Sequence, residues 1–270
     1  MKFTEILRSA FRDIWTHRYL ATTLAIRDTK AKYRGSFLGF FWAVFPPLAA
    51  AIGLAAAKGA GVISFGETAI PFPAYIIFSM SLWQLFTAAI TRPISALLGS
   101  KALLTKVDFP REVIIISEIS KLLVFAFAQT ILVVGVFIFF KVEVNSLFYL
   151  SVIPVLVFVL LGLTISLLIA PFALLFGDIS SALPLALGGV FFITPVVYVL
   201  PKEGGLFSFV VRHNPLTTII EFCRELVYSS HSPVFLYQFI IVTLLTLPIA
   251  CMALVFFRIA MPIVVERWSS

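Results

Sequence analysis

The chain has 270 residues, of which 61% are apolar and 12% charged, with a formal net charge of +7 and a mean hydropathy of +1.08. A soluble domain carries roughly 25% charged and about 45–50% apolar residues. This composition therefore excludes a water-surrounded globule and makes lipid the solvent over most of the surface.

Residues 1–35 form a basic region. Phe3, Ile6, Leu7, Ala10, Phe11, Ile14 and Trp15 recur at helical spacing, with Lys2, Glu5, Arg8, Arg12 and Asp13 on the opposite face. That pattern predicts an amphipathic helix in the headgroup layer. Denser basic sequence continues to Gly35, a helix stop. The first long apolar run starts near residue 36, too deep for a cleavable signal peptide.

Six charge-free runs follow, at 36–57, 68–91, 122–140, 144–177, 179–201 and 226–257. Bilayer hydrocarbon is about 30 Å thick and needs about 20 apolar residues per helix, so each run predicts a span. Pro46-Pro47 should break or kink the first, and Pro154 and Pro171 offer bends in the fourth. Pro184 falls near the start of the fifth, where it disturbs little. Fifteen of the 20 Lys and Arg residues precede the first span, lie between the second and third, or follow the last. The positive-inside rule then puts both termini in the cytoplasm. The basic balance is a topology signal, and nucleic acid is not an expected partner.

The resulting layout is an all-α polytopic membrane protein. A cytoplasmic interface region (1–35) leads into a six-span domain (36–258) and a cytoplasmic tail (259–270). Within the six-span domain, the cytoplasmic connection 99–112 mixes charge with Phe109 and Pro110. On the other side, 202–232 predicts two short helices dipping back into the outer leaflet. The second of these opens on Asn214-Pro215, an N-cap followed by a first helical residue.

Catalytic machinery is not expected. There is no Gly-Lys dipeptide for a phosphate-cradling loop, and no His, Cys, Asp or Glu grouping has metal-ligand spacing. Cys223 and Cys251 read as unpaired packing residues, and His17, His213 and His231 are isolated. No ionisable residue sits deep in a run, although ion-coupled transporters need such groups. Glu118 and Lys121, at i,i+3 spacing near the third span, should pair with each other. What remains is a passive channel, a scaffold, or the membrane part of a machine powered elsewhere. Phe40, Trp42, Tyr75, Trp83, Phe192 and Tyr198 could line a path for a sugar chain, since aromatic faces suit the C–H edges of sugar rings. The same rings also suit lipid-facing or interfacial positions.

The order Arg27-Asp28-Thr29-Lys30-Ala31-Lys32-Tyr33-Arg34-Gly35-Ser36, continuing to Phe40-Phe41-Trp42, resembles the start of the first span in ABC-2 polysaccharide exporter permeases. Those are the permeases of O-antigen, teichoic acid and group 2 capsule export. Lys106-Val107-Asp108-Phe109-Pro110-Arg111-Glu112 is similar to their coupling segment, and Gly177-Asp178-Ile179 to the turn before their fifth span. Asn214-Pro215-Leu216-Thr217 with Glu221 and Arg224 resembles their external re-entrant region. The resemblance implies a homodimer in the bacterial cytoplasmic membrane, joined to two cytoplasmic ATP-binding cassette subunits that carry ATP and magnesium. The cargo implied is a lipid-linked polysaccharide, and this chain itself would need no cofactor. Residues 106–112 and Asp178 would transmit the motor's closure. Arg27, Lys30, Lys32 and Arg34 would meet the lipid diphosphate, although topology alone explains them equally well. ABC-2 exporters of drugs or lipids share the architecture and are the alternative.

Overall fold

The computed structural model describes residues 18–33, 41–62, 66–101, 112–201, 204–228 and 234–269, with Glu5, Arg8, Ser9, Arg12, Asp13 and Thr16 near the start. Among the described residues the structure is helical, without strands. In chain order the helices are α1 (Arg18–Tyr33), α2 (Phe41–Gly59), α3 (Phe72–Gly99), α4 (Glu112–Phe139), α5 (Val152–Leu175), α6 (Gly177–Phe192), α7 (Leu206–His213), α8 (Pro215–Tyr228) and α9 (Val234–Ser269). A single 3₁₀ turn, Phe148–Ser151, leads into α5. The predicted amphipathic helix falls mainly outside the described residues, as does Gly35.

Among the described residues, four helical stretches are long and apolar enough to cross a membrane: Phe72–Gly99, Val113–Phe139, Phe148–Leu175 and Phe235–Arg267. The fifth apolar run instead gives the shorter helix Gly177–Phe192, and the first gives α2, described over Phe41–Gly59. The run 179–201, expected as one helical span, stays helical only to Phe192. Pro195 supplies the reason: it lacks an N–H and pushes Thr194 out of the helical region. Thr194 N still bonds to Phe191 O at 3.3 Å, and Val196 N then turns onto Thr194 O at 2.7 Å. Pro46 and Pro47, expected to break or kink α2, lie within a continuous helix. Each removes one i→i−4 hydrogen bond from it, yet the helical run continues to Gly59. Pro154 stands in the first turn of α5, where an amide donor is not needed, and Pro171 lies within that helix.

Helix α3 is the central element. It packs against α2, α4, α5 and α6, while α5 also packs against α9. Its buried residues run from Phe72 to Leu97. Two apolar clusters cap the bundle. One gathers around Tyr75, Phe78, Phe158, Ile219 and Phe222, and the other around Ile94, Ile114, Leu174, Phe257 and Met261. Between them, α3 and α5 cross at Gly162. A Cβ there would lie 2.8 Å from the Ala89 Cβ and 2.9 Å from the Phe86 carbonyl oxygen, so only glycine permits the approach. The rings of Phe86 and Phe158 stack beside the crossing, 4.7 Å between centroids. On the other flank, Ser81 donates to Gln129 Oε1 at 3.0 Å, and Gln129 Nε2 donates to Gln84 Oε1 at 3.1 Å. This polar ladder joins α3 to α4 inside an otherwise apolar layer.

The turn after α4 closes with Lys141 at φ 51°. Val142 N bonds to Phe137 O at 2.9 Å, which satisfies a carbonyl left over at the helix end. The two short helices expected within 202–232 are α7 and α8, and α8 packs on α5 and α9. Asn214 caps α8 as predicted, its Oδ1 accepting Leu216 N at 3.0 Å.

Candidate functional sites

Two polar constellations stand at opposite ends of α3. Tyr75 and Arg92 are 17 residues apart in this helix, so the sites lie about 25 Å from each other along its axis.

At the Phe72 end, Arg224 of α8 is buried, 3% exposed. A guanidinium has five donors and must find acceptors once it leaves water. It pairs with Glu221 one turn earlier, and Nη2 reaches Ser79 Oγ at 2.6 Å, Pro195 O at 2.8 Å and Val196 O at 3.2 Å. The cation also sits over the Tyr75 ring, 4.1 Å from its centroid. Pro195 has just ended α6, so its carbonyl and that of Val196 lack helical partners, and Arg224 supplies the donors. The same non-helical segment is held twice more. Tyr75 Oη donates to Tyr198 O at 2.8 Å, and Asn214 Nδ2 donates to Thr194 Oγ1 at 3.0 Å and Ile193 O at 3.3 Å. Tyr198 Oη in turn donates to Phe192 O at 3.0 Å. Arg224 Nε and the Tyr228 hydroxyl are buried without a hydrogen-bond partner among the described residues.

At the Gly99 end, α1 lies against α4. Small residues allow this, with Ala21 and Ala25 buried in the contact. Lys121 of α4 bonds to Asp28 of α1 at 3.2 Å and pairs with Glu118, as the i,i+3 spacing predicted. Burial opposes the Asp28 charge, but hydrogen bonds from Arg27 and Lys121 outweigh it and hold the carboxyl below its ordinary range. Asp28, Glu118 and Lys121 line a cleft of about 350 Å³ with Thr29, Thr91, Arg92 and Ser95. The Arg92 guanidinium covers the Phe125 ring at 4.2 Å. A second hollow of about 270 Å³ shares Asp28, Glu118 and Lys121 and adds Ser117, whose buried hydroxyl has no partner among the described residues. Nearby, Asp13 pairs with Arg258 of α9.

The remaining sequence-derived positions divide as follows. Lys106, Val107, Asp108, Phe109, Pro110 and Arg111 lie outside the described residues, as do Arg34 and Phe40, while Glu112 opens α4. Asp178 is exposed in the first turn of α6. Arg27 and Lys30 are exposed on α1, which also carries Lys32. Among the aromatics, Tyr75 and Trp83 are buried, Tyr198 is half-buried, and Trp42 and Phe192 are exposed. Asn214, Glu221 and Arg224 converge with Tyr75 and the Tyr198 segment, while Pro215 is exposed at the start of α8. Ser79 and the carbonyls of Pro195 and Val196 had no local signal in the sequence. Asp28 had one, as a lone acid among bases. Among the described residues no group of His, Cys, Asp or Glu could hold a metal, and both cysteines are free.

No family model matches the chain. Curated relatives do. The O-antigen export system permease protein RfbA of Klebsiella pneumoniae is 26% identical over 215 residues, 77% of this chain and 79% of the relative. A protein of the same name from Myxococcus xanthus is 25% identical over 227 residues, 82% of this chain and 85% of the relative. The chain is similar to those permeases over about four fifths of its length. The resemblance to ABC-2 polysaccharide exporter permeases therefore extends well beyond the short motifs that suggested it.

Proposed function

We propose that this chain is the transmembrane permease subunit of an ATP-driven exporter that moves a lipid-linked cell-surface polysaccharide across the bacterial cytoplasmic membrane. The observation that carries this reading is the similarity to O-antigen export permeases over about four fifths of both chains. The working unit is a homodimer with two cytoplasmic ATP-binding cassette subunits, which bind ATP and magnesium. Both termini are cytoplasmic.

The bundle crosses the membrane six times, with α2 and α6 as the two shorter crossings. Support for α6 comes from its ties. It starts beside the end of α5, and the non-helical segment that follows is bonded to Tyr75 at the opposite end of α3. Helix and segment together thus match the height of the longer spans. Helix α1 lies at the inner surface, and α7 and α8 re-enter from the outer leaflet. The amphipathic sequences of α7 and α8 suit such an interface.

Residues 106–112 and Asp178 receive the motor's movement. The exposed rings of Trp42 and Phe192 and the half-buried Tyr198 offer surface to the glycan, while Tyr75 and Trp83 support them from inside the subunit. Arg27, Lys30, Lys32 and Arg34 attract the lipid diphosphate to the inner surface.

A mild-detergent pull-down of the tagged chain from its native membrane tests the reading. The expected result is an ATPase recovered at one copy per permease subunit. Its hydrolysis should respond to lipid-linked glycan and not to small drugs. Recovery of no ATPase under several gentle conditions points to a passive channel or scaffold. Stimulation by drugs or simple lipids alone points to the other ABC-2 exporters.

A further inference from the structure

Helix α3 buries its apolar residues and leaves polar ones open. Between Met80 and Ser95, the positions that are not buried are Met80, Gln84, Thr87, Thr91, Arg92 and Ser95. The leucines, isoleucines, alanines, Trp83 and Phe86 of that stretch are all buried. A face turned to lipid shows the opposite order, with apolar side chains outside and polar ones inside. Helix α4 has that order: Phe127, Ile131, Val134 and Ile138 are exposed, and Gln129 is buried. Ser81 and Gln84 of α3 bond to this Gln129, so the two kinds of surface stand at the same depth.

Gln84, Thr87, Thr91 and Ser95 recur at i, i+3, i+7 and i+11 and therefore share one face of α3. Thr91 and Ser95 line the cleft at the Gly99 end, and Thr87 and Gln84 continue from it one and two turns deeper. Gln84 stands near the midpoint of the helix. The Thr87 hydroxyl donates to Gln84 O at 3.2 Å and the Thr91 hydroxyl to Thr87 O at 2.9 Å, which leaves both oxygens as acceptors. Gln84 Oε1 accepts from Gln129, which leaves the Gln84 amide N–H groups as donors. These four side chains offer donors and acceptors without a formal charge. They suit water and neutral hydroxyl groups.

We propose that this face of α3 lines a hydrated track from the cleft to the middle of the membrane, where Gln84, Thr87, Thr91 and Ser95 hydrogen-bond the sugar hydroxyls of the exported glycan. The identity of the sugar chain rests on the exporter reading, whereas the track stands on the inverted pattern of burial. The polar face complements the exposed rings of Trp42 and Phe192, which offer apolar contact. Water replaces each hydroxyl contact at little cost, so a repeating sugar chain moves along the face instead of being held.

The test is the rate of labelling of single introduced cysteines by a charged, membrane-impermeant methanethiosulfonate. The full-length chain is taken directly from its membrane into lipid nanodiscs, with both faces open to the reagent. The unsubstituted chain, with Cys223 and Cys251, sets the background. Thr87→Cys, Thr91→Cys and Ser95→Cys should react at least about tenfold faster than Phe127→Cys and Ile131→Cys, because the reactive thiolate forms only in water. Equal or slower labelling of the α3 positions overturns the track, whether lipid or a second copy covers them. In cells, Thr87→Val and Thr91→Val should each lower surface glycan about two- to tenfold at unchanged protein level, the range for one lost hydrogen bond. Normal export by both variants overturns the sugar contact. The ATPase pull-down separates the two readings: fast labelling without a recovered ATPase keeps the hydrated track and removes the exporter. A recovered ATPase with unlabelled α3 positions does the opposite.

Discussion

The two ends of α3 handle positive charge in opposite ways. At the Phe72 end, Arg224 is shut away from water and held by one carboxylate, one hydroxyl and two backbone carbonyls. At the Gly99 end, Lys121 is shared by two carboxylates, one of them partly open to solvent. A buried cation with several fixed acceptors cannot exchange partners without a large desolvation penalty. A cation with a surplus, exposed partner can. The first arrangement fastens a segment of backbone, and the second leaves a helix releasable.

The largest effect should come from removing the fastened charge. Arg224→Gln strands Glu221 and two buried carbonyls and should cost about 3–5 kcal/mol. Thermal unfolding of the detergent-solubilised protein measures this, and an unchanged midpoint would erase the contrast between the two ends. Next is Gly162→Val, which forces side-chain carbon into the α3–α5 crossing and should cost about 1–3 kcal/mol. Because the crossing lies between the ends, hydrogen exchange should rise at both; protection lost at one end only would mean that they are not braced through this contact.

Smaller again is Tyr75→Phe. It deletes one hydrogen bond to the Tyr198 carbonyl while keeping the ring under Arg224, and should cost about 1 kcal/mol. The smallest effect belongs to Asp28. Its carboxyl titrates below the ordinary range, so its tie to Lys121 is complete above about pH 4. The tie is lost as the pH falls through the depressed value. Being partly exposed, it should contribute no more than about 1 kcal/mol. A stability profile that is flat from neutral down to about pH 5, with Asp28→Asn matching it within that margin, is the expected result.

The sequence made some of this legible because the relevant contacts are local. The i,i+3 spacing of Glu118 and Lys121 and the cap at Asn214 need only helical geometry, and both stand in the structure. The long apolar runs yielded four long helices because backbone groups facing lipid must bond within their own segment. Other features depend on groups far apart in the chain. Arg224 reaches Ser79 across 145 positions, and Lys121 reaches Asp28 across 93. Periodicity carries no information about such meetings. The early end of α6 shows a different limit. Hydropathy over 179–201 is uninterrupted, yet one proline decides where the helix stops, and distant donors make the stop tolerable.

The Ser81–Gln129–Gln84 ladder has a mechanical consequence. Amide and hydroxyl partners inside an apolar layer tolerate little misalignment, because a broken pair there finds no water. Helix α3 is thus keyed against rotation about its own axis by α4 on one flank, while the tight contact at Gly162 fixes its depth against α5 on the other. A rod keyed in this way near its midpoint is free chiefly to rock. Displacement of its Gly99 end would swing Tyr75 and Ser79 the opposite way, pulling on the backbone that Arg224 holds.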